Sequence, residues 1–145
     1  MTKAARREAL GHRARLLQSL FGLLPGVPGG VVELGVSRGA TLAILARLIH
    51  EEGLHRTLTG FDSWTPGHPV VDPDEKPSSW SPRKDSLILE KIRRQNVPDG
   101  AVNPQLVQGF VEDTLPNWKN PVAFVHVDVG LSSGYRAAMR WLWPQ

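Results

Sequence analysis

Two kinds of hydrophobic pattern alternate along the chain. Four short runs rich in apolar or β-branched residues predict strands at 31–34, 57–64, 105–110 and 121–129. Around them, apolar residues recur every three or four positions and predict helices at 3–24, 40–52, 83–96 and 133–143. Strands that alternate with helices in this way favour an α/β fold with a parallel sheet.

The first predicted helix carries apolar and basic residues at different positions. The apolar residues at helical spacing are Leu10, Ala14, Leu17, Phe21 and Leu24. The remaining positions include Arg6, Arg7, Arg13 and Arg15. We interpret these arginines as the solvated face of a packing helix, and the alternative is contact with an acidic partner or another copy.

Two further segments differ from ordinary amphipathic elements. The strand at 121–129 is almost continuously apolar, which indicates that both of its faces are covered. Residues 65–82 contain five prolines, which exclude long regular structure and predict a loop. A loop of this length is usually functional or disordered, so it is either a substrate lid or a flexible insertion.

Length and composition exclude several classes of protein. A chain of 145 residues is expected to form one domain. The net charge of +3 does not require a nucleic-acid partner, and the absence of cysteine excludes disulfides and cysteine metal sites. No apolar run has the length of a membrane span, and the basic N-terminus lacks the features of a signal peptide. We therefore expect a cytoplasmic protein without a membrane or nucleic-acid partner.

The turn after the first strand is the strongest candidate for a binding site. Glu33 ends the strand, and Gly35 and Gly39 flank a small polar turn that leads into the next helix. Glycines let a backbone approach a ligand, N–H groups at a helix start favour an anion, and Glu33 suits an ammonium or hydroxyl group. The spacing lacks the third glycine of a dinucleotide site and the G-K-[ST] of a phosphate-binding loop. The alternative is an ordinary strand-to-helix turn with glycines for packing.

A second acid follows the next strand. Asp62 lies 29 residues after Glu33, one strand–helix step further along the chain. A carboxylate at that place can accept hydrogen bonds from both hydroxyls of a ribose. The alternative is that Asp62 only begins the next turn.

Four segments together resemble the macrocin O-methyltransferase family. They are Glu33-Leu34-Gly35-Val36-Ser37-Arg38-Gly39, Gly60-Phe61-Asp62-Ser63-Trp64, Gln108-Gly109-Phe110-Val111-Glu112-Asp113-Thr114-Leu115-Pro116 and Val125-His126-Val127-Asp128. That family contains class I, metal-dependent enzymes that use S-adenosylmethionine (SAM) to methylate sugar hydroxyls of natural products. The resemblance covers residues 30–145 and implies a Rossmann-like parallel sheet with a small-molecule acceptor.

The resemblance also implies roles for individual residues. Those that it assigns to the cofactor are Glu33, Gly35, Ser37, Arg38, Gly39, Thr41, Asp62, Ser63, Gln108, Gly109, Phe110 and Asp128. In this assignment Asp62 holds the ribose and residues 108–110 lie along the adenine. The methionine part of SAM is surrounded by Glu33, Gly35, Ser37, Arg38 and Gly39. Asp128 would also bind a divalent ion such as Mg²⁺, which would orient the acceptor and lower its hydroxyl pKa.

The chain departs from the family after its fourth strand. Asp128-Val129-Gly130-Leu131-Ser132 stands where the family has Asp-x-Asp-Leu-Tyr, and the later strands and the Asp-Asp pair of the metal site are missing. We therefore expect one domain over residues 1–145, with an incomplete sheet of about four strands. Residues 122–129 would form an open edge, which a second copy or a partner would cover.

Three functional hypotheses follow from the sequence. The first is an O-methyltransferase-like protein for a sugar or natural-product hydroxyl, inactive if truncation has removed the metal site; no catalytic residue is assigned. The second is a non-catalytic relative that binds SAM or a partner. The third is a nucleotide-binding α/β protein unrelated to methyl transfer.

Overall fold

Helices and strands alternate along the chain as the sequence pattern predicts. The computed structural model describes residues 2–53, 55–65, 90–92 and 102–143. In chain order its elements are α1 (Lys3–Phe21), β1 (Gly30–Leu34), α2 (Ala40–Glu52), β2 (Leu58–Asp62), β3 (Gln105–Gln108), α3 (Val111–Thr114), a 3₁₀ turn (Leu115–Asn117), β4 (Val122–Val127) and α4 (Ser132–Trp141). The predicted α/β class is confirmed.

The four strands form one parallel sheet in the order β3-β2-β1-β4. Strands β2 and β3 lie in succession on one side of β1, and β4 lies on the other side of β1. The first and fourth strands are therefore neighbours. Ligands of such sheets bind beyond the carboxyl ends of the strands, at the point where the strand order reverses. Here that point lies between β1 and β4.

Helices cover both faces of the sheet because successive side chains of β1 point to opposite sides. Val31 joins a cluster with Leu17 of α1 and Leu45 of α2. Val32 joins the opposite cluster with Leu115 and Ala138. All five residues of β1 are buried, as expected for a central strand between two helical layers. None of the helices in the described part of the chain is long and apolar enough to cross a membrane.

Several element boundaries differ from the sequence prediction by a few residues, and one short helix was not predicted. Helix α1 ends at Phe21 rather than at residue 24, and tight turns follow from Gly22 to Val27. Strand β3 ends at Gln108, because Gly109 has a φ of +144° and α3 begins two residues later. The four residues of α3 are too few for a periodic pattern, so the sequence did not predict this helix.

Strand β4 corrects one prediction and confirms another. Its six residues are half-buried or exposed, and Val125 is 37% exposed, so the prediction that both faces are covered is wrong. The reason is its position, because β4 is the last strand of the described sheet and pairs only with β1. The expected open edge at 122–129 is thus present among the described residues.

Much of the segment between β2 and β3 lies outside the described residues. This includes nearly all of the predicted loop at 65–82 and most of the predicted helix at 83–96. Residues 90–92 are helical, and the buried Ile92 packs in the cluster of α1 and α2. That part of the helix prediction is confirmed.

Candidate functional site

Gly35 lies where the ends of three strands meet. Its N–H donates to the carbonyl of Phe61 at 2.8 Å, while the N–H of Asp128 donates to Leu34 at 2.9 Å. Gly35 has a φ of +88°, and a Cβ there would overlap the carbonyl oxygen of Asp128. The glycine is therefore required by the close approach of β4. This is the packing role that the sequence left open as an alternative to ligand approach.

The start of α2 has no side-chain cap. Gly39 is the N-cap, in a left-handed conformation with a φ of +78°, and no side chain caps the helix. The first turn also contains no acidic side chain. Since the first N–H groups of a helix carry partial positive charge, a ligand carboxylate is favoured here.

Asp62 ties the turn after β1 to the turn after β2. Its Oδ2 accepts from the N–H of Ser37 at 2.7 Å, and its Oδ1 accepts from the N–H of Trp64 at 2.9 Å. Ser37 and Trp64 are the non-glycine residues with positive φ in the described chain, at 52° and 46°. The indole of Trp64 also donates to the carbonyl of Ser37 at 3.0 Å. Asp62 therefore stabilises two backbone conformations that L-residues rarely adopt, a form of strain that clusters at ligand sites.

The end of β3 completes the same crevice. The N–H of Gly109 donates to the carbonyl of Asp62 at 3.0 Å. The side chain of Gln108 donates to the carbonyl of Ser63 at 3.4 Å. Phe110 follows as the N-cap of α3. The structure thus places the candidate adenine residues next to the candidate ribose residue.

Glu33 is a buried carboxylate with an unpaired oxygen. The residue is 1% exposed, and its Oε2 has no hydrogen-bond partner among the described residues. Its Oε1 lies 3.4 Å from Nδ1 of His126 on the neighbouring strand β4. Burial raises the pKa of the Glu33 carboxyl above its ordinary value, and His126 opposes this effect. A ligand cation at Oε2 would satisfy this group.

Arg13 corrects the interpretation of the first helix. Its Nη1 donates to Oγ1 of Thr41 at 2.7 Å and lies 3.4 Å from Oδ2 of Asp128. Arg13 is exposed, as are Arg7 and Arg15, but its contacts with Thr41 and Asp128 show that it is not only a solvated side chain. Helical spacing carried a signal, because Arg13 precedes the buried Leu17 by one turn and so lies on the packing face.

The remaining candidate residues differ in their exposure. Arg38 is exposed, and Thr41 is buried under Arg13. The side chain of Asp128 is 51% exposed, and Arg13 is its ion-pair partner. Within the described ranges, no group of three or more His, Asp or Glu side chains could hold a metal ion. The metal role of Asp128 therefore stays a prediction.

Comparison with known proteins identifies the family. A family profile described as "Methyltransferase domain" matches residues 32–145, and the chain belongs to this family. The sequence-based recognition of a methyltransferase is thereby confirmed. No curated protein sequence matches the chain.

Solved structures show the same fold. The O-methyltransferase NovP is 24% identical with a TM-score of 0.69, and the match covers 91% of this chain and 59% of NovP. The calicheamicin methyltransferase CalS11 is 21% identical with a TM-score of 0.69, and the match covers 99% of this chain and 62% of CalS11. The apo structure of CalS11, described as a TDP-rhamnose 3'-O-methyltransferase, is 22% identical with a TM-score of 0.62, over 92% and 58% of the two chains. The chain thus spans about three fifths of the length of these structures.

Proposed function

We propose that the chain binds S-adenosylmethionine at the carboxyl end of its sheet and is related in function to enzymes that methylate a sugar or natural-product hydroxyl. The carboxylate of Asp62 carries the cofactor proposal. Two backbone N–H groups use two of its roughly four acceptor positions, and the others remain for a ribose diol. The names of NovP and CalS11 support the class of acceptor.

The same crevice suits the other parts of the cofactor. The uncapped start of α2 favours a carboxylate, and the buried Glu33 favours an ammonium group, so together they match an amino acid zwitterion. Residues 108–110 adjoin the Asp62 turn and suit the adenine. When bound, SAM supplies an electrophilic methyl group on a sulfonium. The residues of this chain bind and orient that group.

Calorimetry with SAM, S-adenosylhomocysteine and NAD tests the cofactor proposal. We expect the two adenosyl amino acids to bind and NAD not to bind, because the third glycine of a dinucleotide turn is absent. Binding of NAD without binding of S-adenosylhomocysteine would support the third hypothesis from the sequence instead.

We further propose that this chain alone acts as a cofactor-binding module with little turnover. Asp128 is engaged by Arg13, and no metal cluster is present among the described residues. One carboxylate cannot by itself orient both a metal and an acceptor diol. Mass spectrometry of candidate sugar acceptors incubated with SAM and Mg²⁺ tests this, and robust Mg²⁺-dependent methylation would contradict it.

We also propose that the open edge of the sheet associates with a second copy or a partner segment. Strand β4 presents a half-buried apolar edge. The nearby helix α4 exposes Tyr135 and Met139, which lie one turn apart, and the turn after it exposes Trp143. Apolar surface of this extent is typical of an interface.

A further inference from the structure

Three polar side chains meet between α1, the start of α2 and the carboxyl end of β4. Arg13 of α1 contacts Thr41 at the start of α2 and Asp128 after β4. The charges of Arg13 and Asp128 both influence the pKa of Glu33, so these groups share one electrostatic environment. Arg13 lies outside the residues that match the methyltransferase family.

The guanidinium of Arg13 has donors to spare. Among the described residues its contacts use only Nη1, and its Nε and Nη2 bond to none of them. The side chain is 43% exposed, and its contact with Asp128 is a single 3.4 Å approach. Such exposed pairs contribute little to stability. An arginine fork with free donors matches the two oxygens of a carboxylate.

Glu33 independently offers an acceptor to a cation. Its Oε2 is buried without a partner among the described residues, and an unpaired buried carboxylate oxygen is unfavourable. A ligand that carries an ammonium and a carboxylate on one carbon would satisfy Glu33 and Arg13 together. The amino acid end of SAM is such a group.

We propose that Arg13 binds the carboxylate of the amino acid end of the cofactor, while Glu33 accepts from its ammonium group. This inference rests on the proposed function. Thr41 positions the guanidinium, and the ligand carboxylate replaces Asp128 as its anionic partner. Helix α1 is then part of the cofactor site and not only a cover for the sheet.

Calorimetry with two ligands tests the role of Arg13. One is S-adenosylhomocysteine, and the other is its decarboxylated analogue, which keeps the adenosine and the ammonium group. We expect Arg13→Gln to weaken S-adenosylhomocysteine about tenfold to a hundredfold, the range for hydrogen bonds to a charged group. Its affinity for the decarboxylated analogue should equal that of the wild type, and Arg13→Lys should bind S-adenosylhomocysteine with intermediate affinity.

Arg15→Gln is the matched control, because it removes the same charge from an exposed position on the same helix. We expect it to leave both affinities unchanged. Equal losses for the two ligands in Arg13→Gln would overturn the inference and assign Arg13 a structural role. Unchanged affinities would also overturn it. Failure of the wild type to bind either ligand would instead overturn the proposed function and the inference with it.

Discussion

The two ends of the sheet differ in whether their buried charged side chains have all of their hydrogen-bond partners. At the amino end, Arg56 is 7% exposed and all of its nitrogens have partners. Its Nε and Nη2 donate to the two carboxylate oxygens of Glu52, and its remaining hydrogen bonds go to the carbonyls of Leu24, Val27 and Gly29. At the carboxyl end, Glu33 is more deeply buried and keeps an unpaired oxygen.

We interpret the amino end of the sheet as a region that stabilises the fold and the carboxyl end as a region that binds a ligand. Hydrogen bonds from Arg56 connect the segment between α1 and β1 to the end of α2. They use all of its donors, so none is left for a ligand. An open cavity of about 640 Å³ lies beside it, lined by residues such as Pro28, His55 and Asn120. The carboxyl end instead combines unpaired acceptors, positive φ angles and an uncapped helix start. Open polar groups at a strained site are expected where a ligand completes the structure.

The largest effect should come from the amino end. We expect Arg56→Ala to lower the free energy of unfolding by about 3–5 kcal/mol, because it leaves Glu52 and three carbonyls without their buried partner. Denaturant melts measure this loss. Arg47→Ala is the control, since Arg47 pairs with Glu51 on the surface and should contribute less than about 1 kcal/mol. Equal losses in the two variants would remove the distinction between the two ends.

The next effect concerns the ribose acceptor. We expect Asp62→Ala to weaken S-adenosylhomocysteine by about 1.5–3 kcal/mol, because a charged acceptor for the diol is lost. Asp113→Ala removes an exposed carboxylate from α3 and should leave the affinity unchanged. Calorimetry measures both variants. Affinities of Asp62→Ala and the wild type that agree within error would contradict the ribose assignment.

Glu33→Gln is expected to change the stability of the fold less than Arg56→Ala does, and to raise it rather than lower it. Burial raises the pKa of Glu33 in the folded chain above its ordinary 4.5, so the folded state resists ionisation more than the unfolded state. The stability of the wild type should fall as pH rises from that ordinary value through the raised folded value. Glu33→Gln removes this loss and should be more stable than the wild type near pH 8.

Thermal melts of both proteins at several pH values test this prediction. The advantage of Glu33→Gln should shrink as the pH falls toward 4, where Glu33 of the wild type is protonated in both states. The same substitution should weaken cofactor binding, since the amide cannot pair with an ammonium charge. A variant that is less stable than the wild type near pH 8 would show that ionised Glu33 is well satisfied in the fold.

The smallest effect on monomer stability is expected at the open edge. Val125→Lys places a charge on the exposed side of β4 and should change the unfolding free energy by less than about 0.5 kcal/mol. It should nevertheless lower the mass measured by light scattering, because charge discourages edge-to-edge pairing. Val27→Lys, at a similarly exposed valine of the amino end, should not lower it. A monodisperse wild-type monomer at micromolar concentration would contradict the association proposal.

The fold was largely predictable because strand and helix periods differ. The run at 31–34 and the spacing at 40–52 each agree with local preference and with burial. The prediction for β4 was wrong about burial, since an apolar run does not reveal whether a neighbouring strand exists. The short α3 gave no periodic signal. In each case the missing information concerns contacts distant in sequence.

The candidate site, like the fold, could be predicted only in part from the sequence. Glu33, Gly39 and Asp62 could be placed from the sequence, because strand ends and helix starts of a parallel sheet have known positions. The role of Asp62 in holding Ser37 and Trp64 required the structure, as did the unpaired oxygen of Glu33. Arg13 was missed because its partners lie 28 residues away or further along the chain.

Hydrogen–deuterium exchange of the chain with and without S-adenosylhomocysteine tests the contrast between the two ends most directly. The account predicts slower exchange on binding at residues 35–41, 62–65 and 108–111, around the crevice at the carboxyl end. Residues 26–30 and 55–57, around Arg56, should exchange at the same rate in both states. Protection centred on the amino end, or binding without protection at the carboxyl end, would contradict the assignment of the cofactor site.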